Sequence, residues 1–479
     1  MISSLNAIVP MLCVTAAGLA AMVAESFRDP GERMPIAGLG IVGLVGAAVA
    51  TLLLWNHNVS SFGVVSADNF GLFVTWILII VGALSIAFSG PTVERERLPA
   101  GEYYALMLFA IAGMMLMATA SDLLIIFLAL EVLSIAVYVL TGIRRDSAQA
   151  SEAAFKYFLL GAFSSTFFLY GIAFTYGLTG STHLDRVGSL IAAQAMAPTP
   201  MQLLAVGFLL VGFAFKVSAV PFHMWTPDAY EGAPPAVTGF MSTGVKAAAF
   251  AAFARVFLTA FEPLRGDWGV ILSVVAGATM IVGTVVGVAQ SNVKRMLAYS
   301  SIAHGGYLLV ALVSANDFAK GAVLFYLLAY AVTNLGAFGV LALLDDGERA
   351  NDRVRDFAGL WNERPRLAAL MTIFLLSLGG FPPTAGFIAK FYVFKTAVDS
   401  GYTGIALVGI LTSIVSVYYY LRVVYYLYMK EAPEGYAVPV AGMFATGALA
   451  ISMIGIFVIG IFPTPLFEMA GAAAHALLP

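Results

Sequence analysis

Cysteine is nearly missing from this chain: Cys13 is the single one in 479 residues. That excludes an internal disulfide and any cysteine-built metal or iron–sulfur site. Charge is scarce too. Asp, Glu, Lys and Arg make up only 11% of the residues, the net charge is -3, and no basic cluster is long enough to follow a nucleic-acid backbone. No nucleophile elbow, phosphate-binding loop or HExxH pair occurs. Gly38, Gly40 and Gly43 spell GxGxxG, but they follow no strand and have no acid about 20 residues downstream, so they are expected to be helix-packing glycines. A soluble enzyme is therefore excluded.

What the chain does have is apolar length. Apolar residues reach 61% and the mean hydropathy is +0.92, against about 45–50% apolar in an average soluble domain. A helix needs about 20 apolar residues to cross the hydrocarbon core. On that criterion the sequence predicts an all-α polytopic membrane protein with 14 transmembrane helices. They start near Ala7, Ile36, Phe70, Tyr104, Leu123, Phe155, Leu203, Val237, Val270, Tyr299, Ala322, Leu367, Tyr402 and Pro439. The first segment has no basic n-region and is expected to span rather than to be a cleaved signal.

Basic residues set the expected orientation. Loops after odd-numbered spans hold 16 of the 24 Lys and Arg residues, loops after even-numbered spans hold 5, and 3 lie inside spans. Odd loops should face the cytoplasm and both termini the periplasm. Trp55, Trp225, Trp268 and Trp361 fall near span ends and are expected as interface anchors.

An internal repeat is visible. Span 6, FKYFLLGAFSSTFFLYG, resembles span 11, VLFYLLAYAVTNLGAFG. Spans 7 and 12 are both broken, at Pro221 and at Gly379, Gly380, Pro382 and Pro383. An offset of five spans is odd, so the two units must be inverted in the membrane. The expected division is 1–95 for three N-terminal helices, 96–260 for the first five-helix repeat (helices 4–8), 261–432 for the inverted second (helices 9–13), and 433–479 for a C-terminal helix. Broken helices in matching positions are where transport sites form, because freed carbonyls need water or polar partners.

Four charges lie within the apolar runs: Glu131, Lys216, Lys246 and Lys390. A charge at the bilayer centre costs about 2.5–3.5 kcal/mol on insertion scales. Glu131 stands nine residues after Asp122, about 13 Å into its helix. Its plain reading is a structural ion pair, and its functional reading is a proton or cation site with Lys216 as counter-charge. Lys246 lies near the midplane as well. All three deep cations are lysines. A buried lysine can release its proton, as arginine cannot, whereas a purely structural pair would favour the arginine fork. His304 reads either as a hydrogen-bonded core histidine or as a relay between the two halves. His223, with Pro221, Pro382 and Pro383, is expected to line a cavity at the breaks. Neither histidine has a second metal-type ligand at helical spacing, so no metal site is expected.

The segments LEVLSIAVYVLTG (130–142), FKVSAVPFHMWTPDAYEGAPPAVTGFMSTGVKAAAF (215–250), VKRMLAYSSIAHGGYLLV (293–310) and GGFPPTAGFIAKFYVF (379–394) resemble the antiporter-like subunits of respiratory complex I. The resemblance covers the core from about helix 4 to helix 13. It implies 14 helices, two inverted five-helix units and one proton-translocating channel. On it the family's helix 5 glutamate falls on Glu131, its lysines of helices 7, 8 and 12 on Lys216, Lys246 and Lys390, and its helix 10 histidine on His304. It further implies that NAD, FMN, iron–sulfur clusters and quinone belong to other subunits, that neighbouring antiporter-like subunits are the partners, and that the site is the bacterial plasma membrane. The rival expectations are a subunit of a multisubunit Na+/H+ antiporter, which shares the fold, and an inert scaffold subunit.

Overall fold

In the computed structural model, residues 5–27, 35–193, 198–345, 352–432 and 442–477 are described. The chain is a helical bundle. Its first part comprises α1 (Val9–Ser26), α2 (Ile36–Leu54), a hairpin of β1 (Val59–Ser61) and β2 (Val65–Ala67), and α3 (Asn69–Arg95). There follow α4 (Ala100–Thr119), α5 (Leu123–Thr141), α6 (Ala148–Thr179), the short α7 (Leu184–Ala193), α8 (Pro200–Lys216), α9 (Trp225–Gly232), α10 (Pro235–Phe240) and α11 (Lys246–Arg255). The second half holds α12 (Arg265–Val288), α13 (Val293–Ser314), α14 (Asp317–Leu344), α15 (Leu360–Glu363), α16 (Pro365–Gly379), α17 (Ala385–Asp399) and α18 (Thr403–Met429). Then come α19 (Met443–Ile461) and α20 (Pro463–Ala474).

Among the described residues, 12 helical stretches are long and apolar enough to cross a membrane. The two other expected spans are the broken ones, each split into a pair of short helices, α8–α9 and α16–α17. The expected start of span 14 at Pro439 lies outside the described residues, as do the chain ends. Expected span 8 forms one stretch from α10 through α11, with a π-helical turn at Met241–Val245 between them. The hairpin, α7 and α20 were not anticipated, because none carries a run long enough to span.

Ends are fixed locally. Asp122 accepts from the Leu124 amide at 2.8 Å and starts α5, Asn292 accepts from Arg295 at 3.0 Å and starts α13, and a Thr199–Gln202 capping box starts α8. The spans differ in how far the bundle encloses them. α13, α14 and the α10–α11 stretch are buried almost throughout, while α6 and α12 turn a large share of their surface outward. Gly40 and Gly43 do pack: a Cβ on Gly43 would stand 2.3 Å from that of Ala17 on α1.

The repeat is visible atom by atom. The Leu123 amide donates to Thr182 and the Leu184 amide to Ser121; the Val293 amide donates to Asp352 and the Val354 amide to Ser291. Every residue of the second set stands 170 positions after its counterpart (123 to 293, 182 to 352, 184 to 354, 121 to 291). The bridges Asp122–His183 and Asn292–Arg353 repeat the same step. So does helix contact. A Cβ on Gly113 would lie 2.9 Å from the Leu133 nitrogen, and one on Gly283 would lie 2.6 Å from the Ala303 nitrogen, so each glycine lets α4 onto α5 and α12 onto α13 at backbone distance.

Both breaks satisfy the polar groups they free. At the first, Trp225 Nε1 donates to the Phe215 carbonyl at 3.0 Å and the Val220 amide donates to Thr279 Oγ1 at 2.9 Å. At the second, Gly380 takes a left-handed φ of 85° that ends α16. Two tryptophans depart from expectation. Trp225 and Trp268 are buried inside the bundle rather than standing at an interface. Each reaches a carbonyl, Phe215 and Phe261 respectively.

Candidate functional site

Four of the five singled-out residues are enclosed. Lys216, Lys246, His304 and Lys390 are 3%, 2%, 3% and 5% exposed. Lys216, the last residue of α8, donates to Ser134 Oγ of α5 at 2.7 Å, and its ammonium lies 5.6 Å from the centre of the Tyr138 ring. Lys246 donates to Ser301 Oγ of α13 at 2.6 Å and also to the Ser301 carbonyl. Lys390 lies on α17 but reaches back to the end of α16, donating to the Leu378 carbonyl at 2.8 Å and the Gly379 carbonyl at 3.2 Å. Its third bond runs to Ser413 Oγ at 2.8 Å.

That geometry resolves a mismatch in the sequence. Lys216 precedes its break and Lys390 follows its own, yet Lys216 is the last residue of α8 and the Lys390 ammonium reaches the last carbonyls of α16, so both stand at the end of a first half helix. A helix C-terminus carries partial negative charge, which favours a cation there. The equivalence is spatial and could not be read from spacing.

Glu131 stands apart. It is half-buried, accepts a bond from Ser165 of α6, and makes no ion pair within 4.0 Å of Lys216. The expected pair is replaced by Ser134, one helical turn along α5 from Glu131. The constant step of 170 explains why: Ser134 corresponds to His304, and Glu131 to Ser301. Lys216 thus meets the first of these positions in the first half and Lys246 meets the second of them in the second half, and only the first half carries an acid there.

His304 is held on both ring nitrogens. Nδ1 lies 2.6 Å from the Tyr326 hydroxyl and Nε2 lies 3.4 Å from that of Tyr420, which is itself bonded to Ser300. A small cavity opens beside it, walled by Tyr326, Tyr330, Thr333, Ser377 and Leu378. Leu378 is the residue whose carbonyl holds Lys390. The Tyr307, Tyr330 and Tyr419 hydroxyls nearby are buried with no protein partner, the state expected of groups that face water sites. On its other side Lys390 lines a groove between α17 and α18 that opens outward past Phe391, Lys395 and Asp399.

Pro221, Pro382 and Pro383 are exposed, lie within the breaks beyond the helix ends at Lys216 and Gly379, and are not among the residues that wall that cavity. His223 is half-buried, and its Nδ1 has no partner. Sequence reading missed the serines and tyrosines that bind the charges, because such residues are common in helices. It also assigned Lys294 and Arg255 to loops, whereas both are buried. Among the described residues no group of His, Cys, Asp and Glu could hold a metal ion.

A multi-pass bundle with two matched broken helices and a central row of buried lysines and a histidine defines an antiporter-like membrane subunit. Residues 120–416 match the family described as NADH:quinone oxidoreductase/Mrp antiporter, transmembrane. The chain is 45% identical to NADH-quinone oxidoreductase subunit N of Trichlorobacter lovleyi over 99% of this chain and 98% of that one. It is 43% identical to the subunit N of Salinibacter ruber over 96% and 94%. A chain of respiratory complex I from Thermus thermophilus with bound Aureothin superposes with a TM-score of 0.83 at 34% identity, covering 96% of this chain and 99% of that one. A chain of the Mrp complex from Dietzia matches with a TM-score of 0.83 at 22% identity over 100% and 98%, which shows a common fold. This chain belongs to the subunit N family of NADH-quinone oxidoreductases, within the wider NADH:quinone oxidoreductase/Mrp antiporter family.

Proposed function

We propose that this chain conducts protons from cytoplasm to periplasm as subunit N of a bacterial NADH:quinone oxidoreductase, driven by NADH oxidation and quinone reduction in other subunits. NAD, FMN, iron–sulfur clusters and quinone belong to those subunits, and neighbouring antiporter-like subunits are its membrane partners. It sits in the plasma membrane with both termini periplasmic. The pairs α8–α9 and α16–α17 bring the crossings to fourteen, and residues 96–260 and 261–432 are the two repeats between the N-terminal 1–95 and C-terminal 433–479 segments.

The observation that carries this reading is the buried row Lys216, Lys246, His304 and Lys390, each ending on hydroxyls or free carbonyls rather than on a carboxylate. Cations compensated by dipoles alone can lose a proton without stranding a partner charge, which inert ion pairs cannot. A proton taken up from the cytoplasm passes Lys216 and Lys246, crosses by His304 and its cavity, and leaves from Lys390 through the groove between α17 and α18. Glu131 governs Lys216 through the Ser134 side of α5, its movement toward the lysine favouring the charged pair.

The test is proton-to-electron stoichiometry of the assembled complex in proteoliposomes. Glu131→Gln and Lys216→Ala are expected to lower protons moved per NADH. Unchanged stoichiometry and turnover in both variants would show that the row is inert. Sodium-dependent transport without NADH activity in the purified assembly would instead place the chain in an Na+/H+ antiporter.

A further inference from the structure

Lys294 was counted from sequence as a loop cation, and the row above does not use it. It is the second residue of α13 and is 2% exposed. Its ammonium donates to the Glu231 carbonyl at 2.6 Å and to the Ala233 carbonyl at 2.9 Å, the C-terminal end of α9. α9 is the second half of the first broken helix. Its acids are engaged at the rim by other cations: Asp228 by Arg295 at 2.8 Å and Lys156 at 3.0 Å, and Glu231 by Arg295 at 2.7 Å. No carboxylate among the described residues lies within 4.0 Å of the Lys294 ammonium. Lys294 is therefore enclosed and bonded to carbonyls, as Lys390 is, with the Asp352, Asp345 and Glu231 carboxylates and the Arg144 guanidinium acting on it from beyond 4.0 Å, and it can release a proton without stranding a bonded carboxylate.

Position strengthens the likeness. Lys294 and Ser301 are seven residues apart, two turns and about 10 Å along one face of α13. Ser301 is the residue that binds Lys246. Tyr230 extends from α9, the helix that Lys294 grips, and its buried hydroxyl faces Ser301. From the rim inward along α13 stand the partly exposed acids, buried Lys294, and Ser301 with Lys246 bound to it, while Tyr230 reaches Ser301 from α9.

We infer that Lys294 is the cytoplasmic-side proton donor to Lys246, acting through the Tyr230 and Ser301 hydroxyls. The Lys294 ammonium loses one proton to the hydroxyl relay. Each hydroxyl takes one proton and passes one on, and the Lys246 amine becomes ammonium. The Lys294 amine regains its proton from the cytoplasm, at the rim that Asp228, Glu231 and their paired cations line. This rests on the proton-conducting reading of the chain.

The bland alternative is a clamp, a cation that caps α9 and never titrates. Arginine separates the two, since it can cap carbonyls but does not give up its proton at working pH. The assembled complex in proteoliposomes would carry Lys294→Arg, Lys294→Met, Tyr230→Phe or, as a reference, Lys246→Met, with NADH-driven proton uptake recorded beside NADH oxidation in uncoupled vesicles. The expected result is a fall of about tenfold or more in uptake per NADH through this subunit for both Lys294 variants, with a smaller fall for Tyr230→Phe. Restoration by Lys294→Arg of what Lys294→Met loses would overturn the donor role in favour of the clamp. Should Lys294→Met fail to assemble, normal uptake in both Lys294→Arg and Tyr230→Phe would overturn it as well. Normal uptake in Lys246→Met would sink the wider functional reading instead, so the two failures are told apart.

Discussion

At the scale of the residue, hydroxyl groups are what the buried charges rest on. The sequence exposes the charges themselves: Glu131, Lys216, Lys246 and Lys390 are conspicuous because lipid-facing segments tolerate so few. It cannot expose Ser134, Ser165 or Ser301, since serine is ordinary in membrane helices and only the fold brings Ser134 to Lys216. A substitution at Ser134 is therefore informative. Ser134→Ala leaves a buried ammonium without its acceptor, and we expect a loss of about 1–3 kcal/mol in stability. Thermal unfolding of the detergent-purified complex would register it, and proton uptake should fall in the same direction as for Lys216→Ala. Tyr326 offers a second test. Its hydroxyl is the partner of His304 Nδ1, so Tyr326→Phe removes one link while keeping the ring. We expect uncoupled NADH oxidation to persist and coupled proton uptake to fall by about tenfold or more. Equal uptake in mutant and parent would leave His304 as a packed core histidine.

At the scale of the element, the broken helices were legible and the short pieces were not. Proline and glycine pairs mark a break wherever they interrupt an apolar run, so Pro221 and the Gly379–Pro383 stretch stood out. The hairpin of β1 and β2, α7 and α20 carry too few apolar residues to register against a spanning criterion. Side-chain reach was illegible as well: nothing in the spacing shows that Lys390 folds back across its break to α16. That reach depends on how tightly α17 meets α16, and Gly386 controls the contact. A Cβ at Gly386 would stand 1.8 Å from the Ser377 carbonyl oxygen, a backbone atom that cannot move aside without displacing α16. We expect Gly386→Ala to prevent stable assembly, seen as loss of the subunit from the purified complex. Gly404→Ala on α18 meets nothing within 4 Å and should stay within about 0.5 kcal/mol of the parent. A wild-type yield of Gly386→Ala would mean that α16 and α17 stand further apart than described.

At the scale of the whole molecule, two ion-pair clusters tie the bundle together at opposite ends. Arg255 of α11 makes a two-pronged bond to Asp68 at 2.7 and 2.8 Å and donates to the Ala118 carbonyl, joining α3, α4 and α11. At the other end Arg144, in the loop after α5, bonds Glu96 at the end of α3 and Asp345 at the end of α14. Burial works against the Arg144 charge, but the carboxylates of Glu96 and Asp345 outweigh it and hold the guanidinium above its usual range. Removing one partner of a buried pair strands the other. Arg255→Leu is expected to cost about 3–5 kcal/mol, and Asp68→Leu with Arg255→Leu to recover much of that. The thermal midpoints of the two variants would separate a true pair from two independent packing losses.

The same scale carries the topology. A repeat displaced by five spans turns equivalent positions to opposite faces of the membrane, so the fold converts a constant sequence step into a reversal of side. His183 and Arg353 are such a pair. Each follows the sixth or eleventh span, each bridges back to the N-cap of the span before that one, Asp122 of α5 or Asn292 of α13, and both are accessible. The chain has one native cysteine, so a Cys13→Ser background is silent to thiol reagents. In it, His183→Cys should react with a membrane-impermeant maleimide applied from the periplasmic side, and Arg353→Cys only from the cytoplasmic side. The charge count argues for this assignment, because the loop holding Arg353 is the most basic of all and basic loops stay inside. Labelling of both positions from one side would break the inverted relation itself, and with it the reason for placing Lys216 and Lys390 at matching half-helix ends. Labelling on opposite but exchanged sides would keep the repeat and reverse the direction in which the row of lysines runs.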